Sequence, residues 1–186
     1  MIQPILKSNF VQMPWKNGKG ITTEIFIYPP TATIAKNNFF YRLSSAPINQ
    51  NTTFSLFSGK QRLLTNLKGA GFRLNSDEYE KFEVAHFSGD EIIECKLLKG
   101  PVLDFGVIYD PQKVKVQAKI LNLKMDFNFS LELQNDYFIT VLNGEIMHGE
   151  QSLKELETLH FQKETNCSLR VLKSAVVIYI TVATLP

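Results

Sequence analysis

Apolar residues in this chain alternate with polar ones in short runs instead of recurring every third or fourth position. That pattern predicts strands. Eight such runs stand out: residues 23–28 (TEIFIY), 39–46 (FFYRLSSA), 61–67 (QRLLTNL), 82–87 (FEVAHF), 94–98 (ECKLL), 102–109 (VLDFGVIY), 136–142 (DYFITVL) and 176–182 (VVIYITV). Turn residues separate them at Ser58-Gly59, Gly69-Ala70-Gly71, Ser88-Gly89-Asp90, Gly100-Pro101 and Asn143-Gly144. The last pair predicts a hairpin, because a primed two-residue turn needs positive φ at both positions. Residues 151–158 alone offer helical spacing, and their leucines at 153 and 156 fit a turn and a strand equally well.

The two halves of the chain echo one another. LTNLKG (64–69) matches ITVLNG (139–144), Phe82-Glu83-x-x-His86-Phe87 matches Leu156-Glu157-x-x-His160-Phe161, and Cys95-x-Leu97 matches Cys167-x-Leu169, all in the same order. A degenerate tandem repeat of short antiparallel strands predicts two similar barrels or jelly rolls. Asp110-Pro111-Gln112-Lys113 is the polar break between them, giving an N-terminal barrel over 1–112 and a C-terminal barrel over 113–186, expected to pack as one compact unit.

Composition narrows the class. The 186 residues include 14 Phe and 6 Tyr, with 44% hydrophobic and 20% charged, which describes a globular chain with an aromatic core. Net charge is +2 with the cations scattered, so no nucleic-acid footprint is visible. The opening MIQPILKSNFVQM lacks a signal-peptide pattern, and the longest apolar run, 175–183, is too short for a bilayer. A soluble, cytoplasmic protein with no membrane partner is the expectation. Cys95 and Cys167 lie in apolar runs and read as reduced core thiols. His86, His148 and His160 have no metal-ligand spacing, so neither a metal nor another cofactor is expected.

Residues 13–29, MPWKNGKGITTEIFIYP, hold the single tryptophan beside Lys16, Asn17, Gly18 and Gly20. A phosphate loop would need more glycines at fixed spacing and a helix behind them, whereas ITTEIFIY alternates as a strand. The reading is a tight turn into a strand with Thr22, Glu24, Phe26 and Tyr28 on one face and Ile21, Thr23, Ile25 and Ile27 on the core face. Arg42 sits mid-strand among aromatic residues, and Asp104 lies between Leu103 and Phe105, so each needs partners. Arg42 is either one half of a structural ion pair, with Glu24 or Asp104, or an anion-recognition group at a barrel mouth. Arg62 is either a solvated edge residue or a second cation for a carboxylate.

PWKNGKGITTEI resembles the PWKNGGGxTxEI signature of the HutD/Ves family, a bicupin group. YRLSSA, FSLFSGKQRLLTNLKGAGFRL, FSGD and GPVLDFGVIY, the last similar to the family's GPxxDFN, follow in order, so the resemblance covers residues 14–109. It implies two cupin-type antiparallel β-barrels in one chain, without the usual cupin metal histidines. It also implies a link to histidine utilisation in some bacteria and a small acidic or formylated amino-acid metabolite as ligand. By motif position the family pocket falls on Lys16, Asn17, Thr22, Glu24, Arg42, Ser44, Arg62 and Asp104, with Trp15 as a wall. The chain departs from the family at Lys19, for the middle glycine, at Thr23, often arginine, and at Gly106, often asparagine.

The resulting expectation is a metal-independent binding protein that senses or modulates amino-acid catabolism. Arg42, with Arg62 or Lys16, would grip a carboxylate, Asn17 and Thr22 would read amide or formyl groups, and Glu24 and Asp104 would hold the cations in place. A metal-free cupin isomerase or hydrolase using Glu24 as general base is the rival. A structural protein whose polar residues pair only internally is the third reading.

Overall fold

A computed structural model describes residues 1–14, 20–164, 166–172 and 174–185. The chain forms two compact units, Phe10–Gln112 and Met1–Asn9 with Lys113–Pro186. Strand β1 is Ile2–Ile5. The Phe10–Gln112 unit follows with β2 Val11–Pro14, β3 Ile21–Tyr28, β4 Tyr41–Ser45, β5 Pro47–Ile48, β6 Thr52–Thr53, β7 Gln61–Lys68, β8 Phe72–Leu74, β9 Asp77–Tyr79, β10 Val84–Ser88, β11 Glu94–Leu97 and β12 Val102–Tyr109. The other unit adds β13 Val114–Leu123, β14 Phe127–Ser130, β15 Asn135–Asn143, β16 Ile146–His148, β17 Gln151–Leu153, β18 Thr158–Gln162, β19 Asn166–Val171 and β20 Ala175–Thr184. No helix among the described residues is long and apolar enough to cross a membrane.

Each unit packs a large sheet on a four-stranded one. In Phe10–Gln112 the orders are β10-β7-β12-β4-β3-β2, with β5 on β12, and β6-β11-β8-β9; in the other unit they are β1-β18-β15-β20-β13 and β14-β19-β16-β17. The core of the first unit draws Leu64 and Ala85 from its large sheet and Phe72, Leu74 and Cys95 from its small one. The core of the second does the same with Ile139, Leu159 and Val177 against Ile146, Leu153 and Cys167. Every sheet path ends on two edges, so the expected closed barrels are instead open two-sheet sandwiches, held by the apolar layer between the sheets.

The repeat is visible strand by strand. β4, β6–β12 and β13, β14–β20 occupy the same places in the two orders, and β1 adds to the edge at β18 where β3 and β2 add beyond β4. The opening strand, read in the sequence with the first barrel, pairs Ile2 with Phe161 and Ile5 with Thr158, and so belongs with the C-terminal half.

The sequence echoes have physical causes. Phe82 and Leu156 both take a left-handed backbone, φ 67° and 69°, rare for bulky residues. Their N–H groups donate to Asn66 O at 3.0 Å and Val141 O at 2.7 Å. The glutamates that follow accept the same type of backbone bond, Glu83 from Glu80 N at 2.8 Å and Glu157 from Lys154 N at 2.9 Å. Leu67 and Leu142, each 1% exposed, are the extra residues of a bulge where β7 meets β12 and β15 meets β20.

Asn143-Gly144 is not a hairpin. β15 and β16 lie in different sheets, and the chain turns between them at Gly144, φ 85°, where an added Cβ would lie 2.5 Å from Ser174 O. Gly69, φ 99° and 2.5 Å from Pro101 O, makes the equivalent corner. Residues 151–158 become β17, a turn and the start of β18, resolving the ambiguous leucines in favour of strand and turn.

The predicted faces of β3 also need correction. Its register with β4 shifts between Glu24 and Phe26, so Glu24 opposes Ser44 and Ile27 opposes Arg42, while Phe26 and Tyr28 oppose Leu43 and Tyr41. A bulge at Ile25 flips the alternation. Phe26 and Tyr28 therefore leave the face of Glu24 and stack on Tyr41.

Candidate functional site

Cross-strand register places the candidate residues in rows. One row runs Ile27, Arg42, Ile108, Arg62, Phe87 across β3, β4, β12, β7 and β10; the next runs Glu24, Ser44, Gly106, Leu64, Ala85. Asp104, two residues before Gly106 on β12 and opposite Asn66, shares that face. The inner members of these rows, Arg42, Ile108, Arg62, Ser44, Gly106 and Leu64, floor a cavity of about 830 Å³ within the Phe10–Gln112 unit, whose wall is completed by segments 33–37 and 52–58. Thr22, Arg42, Ser44, Arg62 and Asp104 all line it.

Arg42 is 4% exposed. Its Nε donates to Glu24 Oε2 at 2.7 Å and its Nη1 to Ser44 Oγ at 3.1 Å. Of the two roles open from the sequence, the ion pair with Glu24 is built, and it offsets the desolvation of both charges. Glu24 itself is not among the described residues that line the cavity.

Arg62 is neither a solvated edge residue nor paired. Its guanidinium carbon lies 4.9 Å from the ring centre of Phe87, 5.0 Å from Phe54 and 5.4 Å from Phe57. Among the described residues its only hydrogen bond runs from Nη1 to Ser55 O, at 3.3 Å. A guanidinium carries five donor hydrogens, so most meet no acceptor among the described residues. Aromatic faces hold the cation in place without consuming those donors. Burial brings its pKa down to about 10, Asp104 opposing and Arg42 adding to the fall; the group stays charged at neutral pH.

Asp104 has the complementary character. Its Oδ1 accepts the Ala46 N–H at 2.7 Å, its main-chain oxygen accepts the Ser45 hydroxyl, and Oδ2 has no hydrogen bond among the described residues. Burial pushes its pKa up to about 7, against the pull of the Ala46 N–H and of Arg62 and Arg42. Near neutral pH this carboxyl is divided between its two protonation states.

Trp15, Lys16, Asn17 and Lys19 lie outside the described residues. Thr23, one of the family departures, opposes Ser45 on the other face and exchanges side-chain contacts with Gln12, so it does not shape the cavity. Gly106 does line it. The three phenylalanines around Arg62 were missed from the sequence, although two fall in FSLF beside the SGKQR run. Asn37 was missed as well. It lines the cavity, donates Nδ2 to Ser58 O at 3.0 Å, and leaves Oδ1 buried without a partner among the described residues.

The other unit shows what these substitutions achieve. By register its Tyr137, Val177 and Tyr179 stand where Arg62, Asp104 and Gly106 stand here. Tyr179 stacks on Tyr137 at 5.8 Å and on Phe129 at 5.0 Å. Aromatic rings thus fill the position that Gly106 leaves open, and the charged groups belong to one repeat alone.

No group of three His, Cys, Asp or Glu able to hold a metal occurs among the described residues. His86 Nε2 meets Tyr109 OH at 3.1 Å, and His160 stacks on Phe138 at 4.3 Å near Asp136, so the two repeat-equivalent histidines have structural contacts. Cys95 and Cys167 are buried and unpaired, their thiols pushed up to about 12 mainly by burial.

Comparison with known proteins agrees with the fold. An uncharacterised 21.2 kDa protein in the hutC 3′ region of Pseudomonas putida is 37% identical over 123 residues, a match spanning 63% of this chain and 63% of that relative. A crystal structure of a conserved protein of unknown function from Pseudomonas aeruginosa superposes with TM-score 0.85 at 24% identity, covering 98% of this chain and 99% of the other. HutD from Pseudomonas fluorescens gives TM-score 0.80 at 25% identity over the whole of both chains. A bacterial pirin from Escherichia coli, solved with nickel(II), shares the cupin-like fold alone, with TM-score 0.69 at 11% identity, covering 100% of this chain and 99% of the pirin. The HutD family model matches residues 7–179, and the chain therefore belongs to the HutD family.

Proposed function

We propose that this protein is a bicupin, two cupin-type folds in one chain, whose Phe10–Gln112 unit binds a small carboxylate or formylated metabolite without a metal. In this reading it senses or modulates histidine-type amino-acid catabolism in the cytoplasm, in keeping with its family and with the hut-region setting of a relative. The observation that carries the reading is Arg62, a cation at the cavity wall most of whose donors have no partner among the described residues. A guanidinium presents a planar edge that grips a carboxylate through two parallel hydrogen bonds. Arg42, neutralised by Glu24, anchors the wall. Thr22, Ser44 and Asn37 supply polar contacts to the remainder of the ligand.

If the cavity performs chemistry instead, Asp104 is the better general base than Glu24. It faces the cavity with a pKa of about 7, suited to proton transfer at neutral pH, whereas Glu24 is tied to Arg42. Calorimetric titration with small carboxylates, urocanate and N-formylglutamate among them, tests the binding reading. Arg62→Ala is expected to weaken binding by at least ~30-fold, since truncating one partner of a buried charge pair costs about 2–5 kcal/mol. Binding unchanged by that substitution, or absent for every acid tried, refutes it. Consumption of a bound acid, abolished by Asp104→Asn, would identify an enzyme.

A further inference from the structure

Among the described residues the charged groups that line the cavity are Arg42, Arg62 and Asp104, with Glu24 paired to Arg42, and their balance limits what can enter. Glu24 neutralises Arg42 through the 2.7 Å ion pair, leaving, among the described residues, Arg62 as one positive charge and Asp104 as a carboxyl with one oxygen outside any hydrogen bond. Around Asp104, β4 contributes Arg42, β7 contributes Arg62 and the uncharged Asn66, and β11 contributes Cys95, a thiol that stays neutral. The Ala46 N–H and the Ser45 hydroxyl complete its surroundings. A carboxylate seated on Arg62 would add a second negative charge to the cavity that Asp104 also lines. Two carboxylates sharing one site cannot both stay ionised without a large cost.

We infer that the cavity takes up a carboxylate head group together with one proton, and that the proton rests on Asp104. This rests on the carboxylate-binding reading above and adds the regulation of that site. The proton comes from solvent and no covalent bond changes. Once protonated, Asp104 no longer repels the ligand and carries an O–H donor in place of a charge. The site then holds one cation and one anion and is neutral. Singly charged carboxylate heads are accordingly the class it favours, and binding weakens as pH rises. Burial has already raised the Asp104 carboxyl to about 7, so the proton is available near neutrality.

Acetate, ionised throughout the range, is the probe, and its Kd is read by NMR shift titration at pH 6, 7 and 8. With one linked proton, the protonated fraction of the free site falls from about 90% to about 10% over that interval, so Kd is expected to rise about tenfold. Asp104→Asn, which keeps the acceptor for Ala46 N–H, is expected to bind with the same Kd at all three pH values. Independently of any variant, the carboxyl ¹³C signal of an aspartate titrating near 7 is expected to move to higher pH when acetate saturates the site. A Kd constant with pH in the unmodified protein, a pH slope retained in Asp104→Asn, or a titration unmoved by acetate overturns the inference while leaving carboxylate binding intact. No acetate binding at any pH overturns the binding reading, and this inference falls with it.

Discussion

The Asp104 carboxyl makes a stability prediction that needs no ligand. Its pKa rises from 3.8 to about 7 because burial penalises the charged form more than Arg62, Arg42 and the Ala46 N–H favour it. A carboxyl raised on folding makes a contribution that is fully present below its unfolded pKa, near 3.8, and is lost as pH rises through about 7. The full loss is about 4 kcal/mol at about 1.4 kcal/mol per tenfold in proton affinity, and about 2–3 kcal/mol of it falls between pH 5 and pH 8. Asp104→Asn removes this titration while preserving the acceptor, and every other group titrates alike in both proteins. The experiment is urea unfolding of both at pH 5, 6.5 and 8. The stability of the variant relative to the unmodified protein is expected to increase by about 2–3 kcal/mol from the lowest pH to the highest. A difference that stays flat, or that favours the unmodified protein as pH rises, would mean that Asp104 is ionised and well paired in the fold. The electrostatic account of the cavity floor would then be wrong.

Glu24→Gln is expected to destabilise by about 3–5 kcal/mol in the same assay, because it strands the buried Arg42 charge; adding Arg42→Met should recover most of the loss, and a loss under about 1 kcal/mol would show the pair to be dispensable. Gly69→Ala and Gly144→Ala should each lower the unfolding midpoint well beyond Gly149→Ala: all three have positive φ, but only the first two would drive a Cβ to 2.5 Å from a carbonyl oxygen. The strain without the clash costs roughly 1 kcal/mol, so equal midpoints for the three variants would refute the corner argument.

Much of the architecture was legible because two-residue alternation survives in the buried strands. All eight runs identified from the sequence are strands, and the 64–69 and 139–144 echoes mark the same bulge and corner in both units. Features set by long-range pairing were less legible. The bulge at Ile25 reverses a face without changing the local pattern, and Gly144 looks like a hairpin turn because a sheet-to-sheet corner also needs positive φ. Strand β13 spans ten residues and lies outside the eight runs, although its VKVQAKI alternates apolar and polar positions as a half-buried strand does. At the site, Arg42 and Asp104 announced themselves as charges in apolar strands. The environment of Arg62 could not be read that way, since Phe54, Phe57 and Phe87 come together only when β10 pairs with β7 and segment 52–58 folds over the row.

The pairing of β1 with β18 bears on how the protein is made. On a translating ribosome the first strand emerges early, but its partner, reached at Thr158–Gln162, emerges only near the end. The Phe10–Gln112 unit has no such dependence and can close while the remainder is still being synthesised. At about 5–20 residues per second, the opening strand waits several seconds or more, its apolar positions uncovered. Ile5, 7% exposed in the finished fold, gains its cover only when β18 pairs with β1, so the unit that contains Met1–Asn9 closes after the Phe10–Gln112 unit can.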